Sequence, residues 1–266
     1  GILEVNRCVL QKNQATYYGG AIFHDRSANT SINGSTIQDN LAPLGGGLSV
    51  YQSGLLTITD SEIANNTATT EGGGINLGSS AELVINNSRI NFNHSARHGG
   101  GIFKDGVGDS PPATIDGTTF EGNTANWSGG GIFVWRAPLM ILESRFINNF
   151  ANEYGGGLNY QDYGSETVTI TKCTFRGNSS KSAGGAIHFS GDRMDINGST
   201  IQNNYAENGG GIHNGSAEDD SRYINRTDST LVITDSQVLE NTAAGYGGGA
   251  YNEGLMSCEE TDFTSN

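Results

Sequence analysis

Four side chains suited to ligand binding occupy one recurring position of this sequence. Phe103 and Phe133 lie there on neighbouring repeats, as do His188 and His213, each directly after the aliphatic residue of a glycine motif. Aromatic rings stacked on a surface offer a platform for sugar rings or for an apolar patch of a partner. Two adjacent imidazoles are able to share a metal ion. We predict these residues as ligand-binding candidates; in the alternative, a loop covers the rings and the imidazoles only stack.

The acidic residues offer one further candidate site. Glu218, Asp219 and Asp220 cluster in the longest insertion between repeats, where they form either a weak Ca²⁺ contact or a solvated loop. Motifs for other cofactors are missing: the sequence has no Walker loop, Cys-x-x-Cys pair, His-Glu-x-x-His helix or nucleophile elbow. We therefore predict no catalytic residue, no metal centre and no cofactor beyond this weak calcium contact.

A glycine motif sets the framework that must position these side chains. It consists of Gly-Gly, a small residue and usually an aliphatic residue, and successive copies lie 26, 27, 27, 30, 26, 29, 25 and 38 residues apart. A period near 27 over the whole chain indicates a solenoid, because each repeat can bury its apolar side only against its neighbours. The nine copies begin at Gly19, Gly45, Gly72, Gly99, Gly129, Gly155, Gly184, Gly209 and Gly247.

An asparagine keeps a fixed distance to each glycine motif, seven or eight residues before its third position. Asn tolerates left-handed corners, and stacked Asn amides can hydrogen-bond along an axis as a ladder. We assign this ladder to Asn13, Asn40, Asn66, Asn93, Asn123, Asn149, Asn178, Asn204 and Asn241.

Alternating apolar runs upstream of these asparagines, such as Leu83–Ile85, predict short strands, and no window has a helical period. Glycine makes the sharp corners between the strands. The predicted fold class is all-β: a right-handed parallel β-helix of nine to ten rungs of about 27 residues, with three strands per rung. We predict one domain over residues 1–266.

The net charge and the distribution of charged residues limit the classes of partner and activity that fit this sequence. The net charge of −14 argues against nucleic acid, whose phosphates need a basic surface, and no apolar run is long enough for membrane insertion. Parallel β-helices include polysaccharide lyases and hydrolases, which need clustered acids or bases. Because the basic residues here are few and scattered, we predict a non-enzymatic structural or adhesive protein. A polysaccharide-binding or polysaccharide-degrading β-helix is the alternative.

Ten Asn-x-Ser/Thr sequons suggest an extracellular or cell-surface protein that carries glycans. Two of them, at Asn93 and Asn178, coincide with the predicted ladder. The predicted glycosylation sites are those at outward or loop positions: Asn86, Asn126, Asn197 and Asn225.

Two motifs carry a family resemblance. Phe-x-x-Asn at Phe120–Asn123, Phe146–Asn149, Phe175–Asn178 and Phe263–Asn266, with Gly-Gly-Ala-Ile at Gly19–Ile22 and Gly184–Ile187, resembles the paired tetrapeptides of the chlamydial polymorphic outer membrane proteins. Most glycine motifs here instead read Gly-Gly-Gly or end in Ala, and most asparagine motifs begin with Ile, Leu or Val. The resemblance implies a surface-exposed β-helical passenger of an autotransporter. It further implies adhesion or display, with a host-surface protein or glycan as partner.

The ends of the sequence fall inside repeats. Gly1–Val5 aligns with Gly54–Ile58, in the middle of a unit, and the sequence closes at the ladder position Asn266. Open ends of a β-helix expose unpaired backbone groups. We therefore expect either continuation in a longer β-helix or end-to-end self-association into a filament.

Overall fold

The computed structural model describes residues 1–25, 29–107, 110–162, 164–215 and 228–266. Within these residues the chain forms 37 short strands and no helix. The strands stack in parallel as about nine turns, with four sheets, named A to D, along the long axis. The predicted parallel β-solenoid is therefore confirmed.

Sheets A and B each contain ten strands. Sheet A is formed by β1 (Ile2–Asn6), β4 (Asn29–Asn33), β8 (Ser53–Thr59), β12 (Ser80–Asn86), β16 (Ala113–Asp116), β20 (Leu139–Leu142), β24 (Thr167–Thr171), β28 (Arg193–Asn197), β32 (Thr230–Thr234) and β36 (Leu255–Glu259). Sheet B is formed by β2 (Val9–Gln11), β5 (Thr36–Gln38), β9 (Glu62–Ala64), β13 (Arg89–Asn91), β17 (Thr119–Glu121), β21 (Arg145–Ile147), β25 (Thr174–Arg176), β29 (Thr200–Gln202), β33 (Gln237–Leu239) and β37 (Asp262–Thr264).

Sheet C has eight strands and sheet D has nine. Sheet C is formed by β6 (Leu41–Leu44), β10 (Thr67–Glu71), β14 (His94–Ser95), β18 (Thr124–Ala125), β22 (Phe150–Ala151), β26 (Ser179–Ser180), β30 (Tyr205–Asn208) and β34 (Thr242–Tyr246). Sheet D is formed by β3 (Ile22–Asp25), β7 (Leu48–Tyr51), β11 (Ile75–Leu77), β15 (Ile102–Lys104), β19 (Ile132–Trp135), β23 (Leu158–Gln161), β27 (Ile187–Ser190), β31 (Ile212–Asn214) and β35 (Ala250–Asn252).

Three of the four corners have a fixed construction. The A–B and B–C connections between strands contain two residues, and the first has a positive φ, as at Asp60 (48°) and Asn65 (55°). The C–D corner begins with the first glycine of each motif, such as Gly72 at φ 68°. A Cβ at Gly72 would lie 2.4 Å from the carbonyl oxygen of Ile75, so glycine is required there. This construction keeps the turns in register.

The number of strands per turn differs from the prediction, because the structure has four where the sequence suggested three. The positive-φ residue between sheets A and B bends the chain there and separates two strands at a corner that the sequence analysis did not predict. Side chains as different as Arg7, Asp60 and Lys172 adopt this conformation, so no single residue type marks the positive-φ position in the sequence.

The D–A corner has no fixed length. Its connections range from a single residue after Tyr51 to the 15 residues between Asn214 and Thr230. Both insertions of the sequence connect a strand of sheet D to a strand of sheet A, one between Lys104 and Ala113 and the other between Asn214 and Thr230. The largest differences in connection length are therefore at one edge of the solenoid.

The predicted asparagines form a hydrogen-bond ladder at the B–C corner. The Oδ1 of Asn93 accepts from the backbone N–H and the Nδ2 of Asn66 at 3.0 Å each, and the Nδ2 of Asn93 donates to the Oδ1 of Asn123 at 3.0 Å. The pattern begins at Asn13 and continues to Asn266. Each internal amide thus joins its turn to the turns on both sides.

A second ladder, made of hydroxyl groups, lies at the A–B corner. The backbone N–H of Ser61 donates to the Oγ of Ser88 at 3.2 Å, while the Oγ of Ser61 donates to the carbonyl oxygen of Thr59 at 2.7 Å. The sequence indicates only a small residue at this position. Its hydroxyl function follows from the corner geometry, which brings the side chain beside a backbone N–H of the neighbouring turn.

Inside the solenoid, apolar side chains stack in columns. The rings of Phe120, Phe146 and Phe175 follow one another with centroids 4.7 and 4.5 Å apart and planes within 5° of parallel. Because most of the apolar area of each turn is covered by the neighbouring turns, the turns depend on one another for stability. A buried isoleucine column continues through sheet A: Ile32, Ile58, Ile85, Ile115, Ile141, Ile170, Ile196 and Ile233.

Candidate functional site

The predicted ligand-binding residues lie on the outer face of sheet D. Strand pairing aligns Phe103 with Phe133 and His188 with His213. Phe103 is half-buried, Phe133 is 1% exposed, His188 is fully buried and His213 is 4% exposed. Of the two arrangements that the sequence allows, the covered one is observed for Phe133, His188 and His213. We name the whole row the sheet D column: Phe23, Ser49, Asn76, Phe103, Phe133, Asn159, His188, His213 and Tyr251.

Ring stacking explains why this part of the column offers no open platform. The rings of Phe103 and Phe133 are 5.4 Å apart with planes 12° from parallel, so they face each other along the axis. The imidazole of His98 lies 4.5 Å from the ring of Phe133. The ring faces that a sugar would need are thus already in contact with other rings.

Trp127 and Arg97 flank this stack. The edge of Trp127 meets His98 at 5.2 Å, and the guanidinium of Arg97 lies 4.4 Å from the Trp127 ring centroid. Arg97 also pairs with Glu71, with Nη1 and Oε1 3.6 Å apart. Trp127 remains 41% exposed, so this cation–π pair is at the protein surface.

The histidine pair is a stack of neutral rings. His188 and His213 lie 5.0 Å apart with planes 8° from parallel. An imidazole binds a metal through a nitrogen lone pair in the plane of its ring, so two parallel stacked rings cannot direct their lone pairs at one ion. The described residues contain no group of three or more His, Cys, Asp and Glu side chains that could hold a metal ion. The geometry therefore favours packing over metal sharing.

Burial keeps these imidazoles unprotonated. It lowers the pKa of His213 to about 4, and burial together with the neighbouring His213 places the pKa of His188 well below its ordinary value. The Nδ1 of His188 lies 3.3 Å from the Oδ1 of Asn159, whereas the Nε2 of His188 and the Nδ1 of His213 have no hydrogen-bond partner among the described residues. Protonation would place charge in this covered layer.

A buried lysine stabilises the D–A corner. Lys104 is fully buried, and its Nζ donates to the carbonyl oxygens of Gly78, Ser79 and Asp105 at 3.3, 3.2 and 3.0 Å. Burial lowers the pKa of Lys104 to about 8, and the charge of Asp105 acts in the opposite direction. All three contacts are to backbone atoms, so the ammonium group ties the connection after β15 to the turn before it.

The other predicted sites are distributed over the surface. Asn126 and Asn197 are exposed and Asn86 is half-buried, and the Nδ2 of Asn197 donates to the Oγ1 of Thr234 at 2.7 Å. Asn225 and the acidic cluster Glu218, Asp219 and Asp220 lie outside the described residues.

Sequence reasoning missed a second outward column, on sheet C. It is formed by the residue directly after each ladder asparagine from Asn93 to Asn241, and strand pairing places its members in register. Rings and hydroxyl groups alternate along it. The signal was available in the sequence, one position after each asparagine of the ladder. We name this row the sheet C column: His94, Thr124, Phe150, Ser179, Tyr205 and Thr242.

The fold and its repeated corners define a β-helical repeat protein. A sequence model of the right-handed β-helix region matches residues 2–137, so the chain belongs to the right-handed β-helix family. The Chlamydia polymorphic membrane protein repeat matches residues 172–190, which contain the motif pair Phe175–Asn178 and Gly184–Ile187. No curated protein and no solved structure matches the chain at a significant level. The described residues contain no helix with the length and apolarity of a membrane span.

Proposed function

We propose that this chain is a non-enzymatic β-helix of the extracellular space or the cell surface, with a structural or adhesive role. The observation that carries the proposal is the repeat at residues 172–190, which matches that of a Chlamydia polymorphic membrane protein. The exposed sequons at Asn126 and Asn197 are compatible with such a location.

The arrangement of polar groups supports a role in which the outer surface of the solenoid binds a partner. The ladder amides and the corner hydroxyls are used in holding turns together, as at Asn93 and Ser61. The imidazoles of His188 and His213 are covered, and within the described part of the chain Lys104 bonds three backbone carbonyl oxygens. What remains accessible is a long regular surface with many outward side chains, which suits binding over an extended area.

Two further parts of the proposal concern partners. A host-surface protein or glycan is the proposed external partner. End-to-end self-association, or continuation in a longer chain, remains a prediction.

A binding assay and a cleavage assay together test the proposed function. Fluorescently labelled protein is incubated with cultured cells, and unlabelled protein with a panel of neutral and acidic polysaccharides. We expect saturable binding to cells and unchanged polysaccharide chain lengths. Cleavage products that disappear when surface carboxylates are replaced would instead establish the polysaccharide-degrading alternative. Absence of binding to every cell type and every polysaccharide would contradict the adhesive role.

A further inference from the structure

The sheet C column differs from the sheet D column in how its rings are spaced. His94, Phe150 and Tyr205 lie on every second turn, and Thr124 and Ser179 occupy the turns between them. At about 4.8 Å per strand, successive rings are roughly 9.6 Å apart. Rings at this distance do not stack on one another, in contrast to the rings of the pair Phe103–Phe133.

The column is accessible along its length. Tyr205 is 50% exposed, and His94, Phe150, Thr124 and Ser179 are half-buried. The hydroxyl of Thr124 is also within 2.9 Å of the Nδ1 of His94. Apolar ring surface and hydrogen-bonding hydroxyls therefore alternate on one solvent-facing line.

Polar side chains border this line on the side of the C–D corner. They lie two residues after Thr124, Phe150, Ser179 and Tyr205, whereas the turn of His94 has Ala96 at this position. They comprise Asn126, Asn152, Lys181 and Glu207. The Nζ of Lys181 lies 6.0 Å from the ring centroid of Phe150. Amide, ammonium and carboxylate groups supply both donors and acceptors for sugar hydroxyls.

The charges of the sheet C column and of the side chains that border it favour one class of glycan. In the border, the positive charge of Lys181 is balanced by the negative charge of Glu207, whereas the whole chain carries a net charge of −14. The negative charge of the rest of the surface would repel a polyanionic glycan, and the column with its border residues has no excess of positive charge to offset this repulsion. A neutral glycan meets no such repulsion.

We propose that the sheet C column binds an uncharged linear polysaccharide lying parallel to the long axis of the solenoid. The ring spacing of two turns suits an extended chain that repeats every two sugar units, with one sugar of each pair against His94, Phe150 or Tyr205. The other sugar then lies over the hydroxyl of Thr124 or Ser179. This inference rests on the proposed adhesive function and names its ligand.

A spacing variant provides the sharpest test. The double substitution Phe150→Ser with Ser179→Phe keeps the composition and the number of rings but places two rings on adjacent turns. Titration calorimetry with linear neutral hexasaccharides of glucose, mannose and N-acetylglucosamine measures the affinity of the parent and its variants. We expect binding of at least one probe, and affinity reduced about 5- to 10-fold by Phe150→Ala or Tyr205→Ala. The spacing variant should lose at least as much affinity as either alanine variant.

Controls separate this inference from the proposed function. Tyr17→Ala removes a ring that is 72% exposed but lies outside the column, and should leave affinity unchanged. Circular dichroism and thermal unfolding verify that each variant is folded. Equal affinity of the parent and the folded spacing variant, or preference for acidic over neutral hexasaccharides, overturns the inference. Cell binding without binding of any neutral probe overturns the inference alone, and loss of both overturns the proposed function as well.

Discussion

The Nδ2 of Asn149 donates to the Oδ1 of Asn178 at 2.9 Å, and both side chains are fully buried. The same Asn149 accepts, through its Oδ1, from the backbone N–H and the Nδ2 of Asn123 at 3.0 Å each. One side chain therefore bonds two neighbouring turns at once, and its removal leaves buried donors without acceptors.

Asn149→Ala should lower the free energy of unfolding by about 3 kcal/mol, because it leaves two buried donors of Asn123 unsatisfied. Urea unfolding followed by circular dichroism measures the change. The matched control is Asn33→Ala, an exposed strand residue outside the ladder, which should change stability by less than about 0.5 kcal/mol. Equal effects of the two substitutions would show that the ladder does not stabilise the turns.

Gly130→Ala should destabilise the fold by at least about 2 kcal/mol, because the added Cβ would lie 2.4 Å from the carbonyl oxygen of Gly156. Gly198→Asn is the control. Gly198 has a φ of 57°, the added Cβ would meet only the Cγ of Lys172 at 3.5 Å, and Asn87 already occupies the equivalent corner. We expect Gly198→Asn to unfold at nearly the parental urea concentration. A tolerated Gly130→Ala would disprove the close approach of turns at the C–D corner.

Acid should destabilise the protein through its buried imidazoles. Burial lowers the pKa of His98 and of His213 from 6.5 to about 4. The unfolded chain binds protons on these groups below pH 6.5 and the native state does not, so stability falls as the pH falls from 6.5 towards 4. The loss is about 3 kcal/mol for each of the two groups.

The double variant His188→Phe with His213→Phe isolates the contribution of the stacked pair. Phenylalanine already occupies this column at Phe103 and Phe133, so the stack is preserved. Urea unfolding at a series of pH values should show a smaller decrease between pH 6.5 and 4 in the variant than in the parent. Identical pH dependence would mean that the pair is solvated in the native state.

The three cysteines should differ in reactivity. Cys8 and Cys258 are exposed, whereas Cys173 is buried and its pKa is raised by burial to about 11. Ellman's reagent at pH 8 should modify two thiols in the native protein, Cys258 more slowly because partial burial raises its pKa. The third thiol should react only in denaturant. Rapid modification of three thiols in native buffer would contradict the packing around Cys173.

Secretion from a eukaryotic host should place glycans on Asn126 and Asn197, which are exposed, and leave Asn93 and Asn178 unmodified. The amides of the latter two are buried and hydrogen-bonded in the ladder. Glycopeptide mass spectrometry determines the occupancy of each sequon. A glycan on Asn178 would be incompatible with the folded ladder.

The sequence predicted well how the turns repeat along the axis, and less well how many strands and corners each turn contains. Spacing between asparagine and glycine motifs defines the turns, because every turn repeats an asparagine such as Asn66 at the B–C corner and a glycine such as Gly72 at the C–D corner. The A–B corner escaped prediction, since its positive φ is adopted by Arg7, Asp60 and Lys172 alike.

The candidate site was predictable in position but not in exposure. Alternation correctly separates Phe133 from the inward Ile132, yet outward direction does not imply contact with solvent. The segment before each glycine motif covers the column, and its path depends on how His98 and Tyr154 pack against the rings. Periodicity within strands carries no information about that packing.

The D–A corner gives this scaffold one edge that is free to change. Neither hydrogen-bond ladder passes through it, and its connections already differ from a single residue to 15. A foreign peptide grafted between Ser190 and Arg193 would leave the alignment of every turn intact. The residues of this edge can therefore be changed or extended without altering the columns and ladders that hold the turns in register.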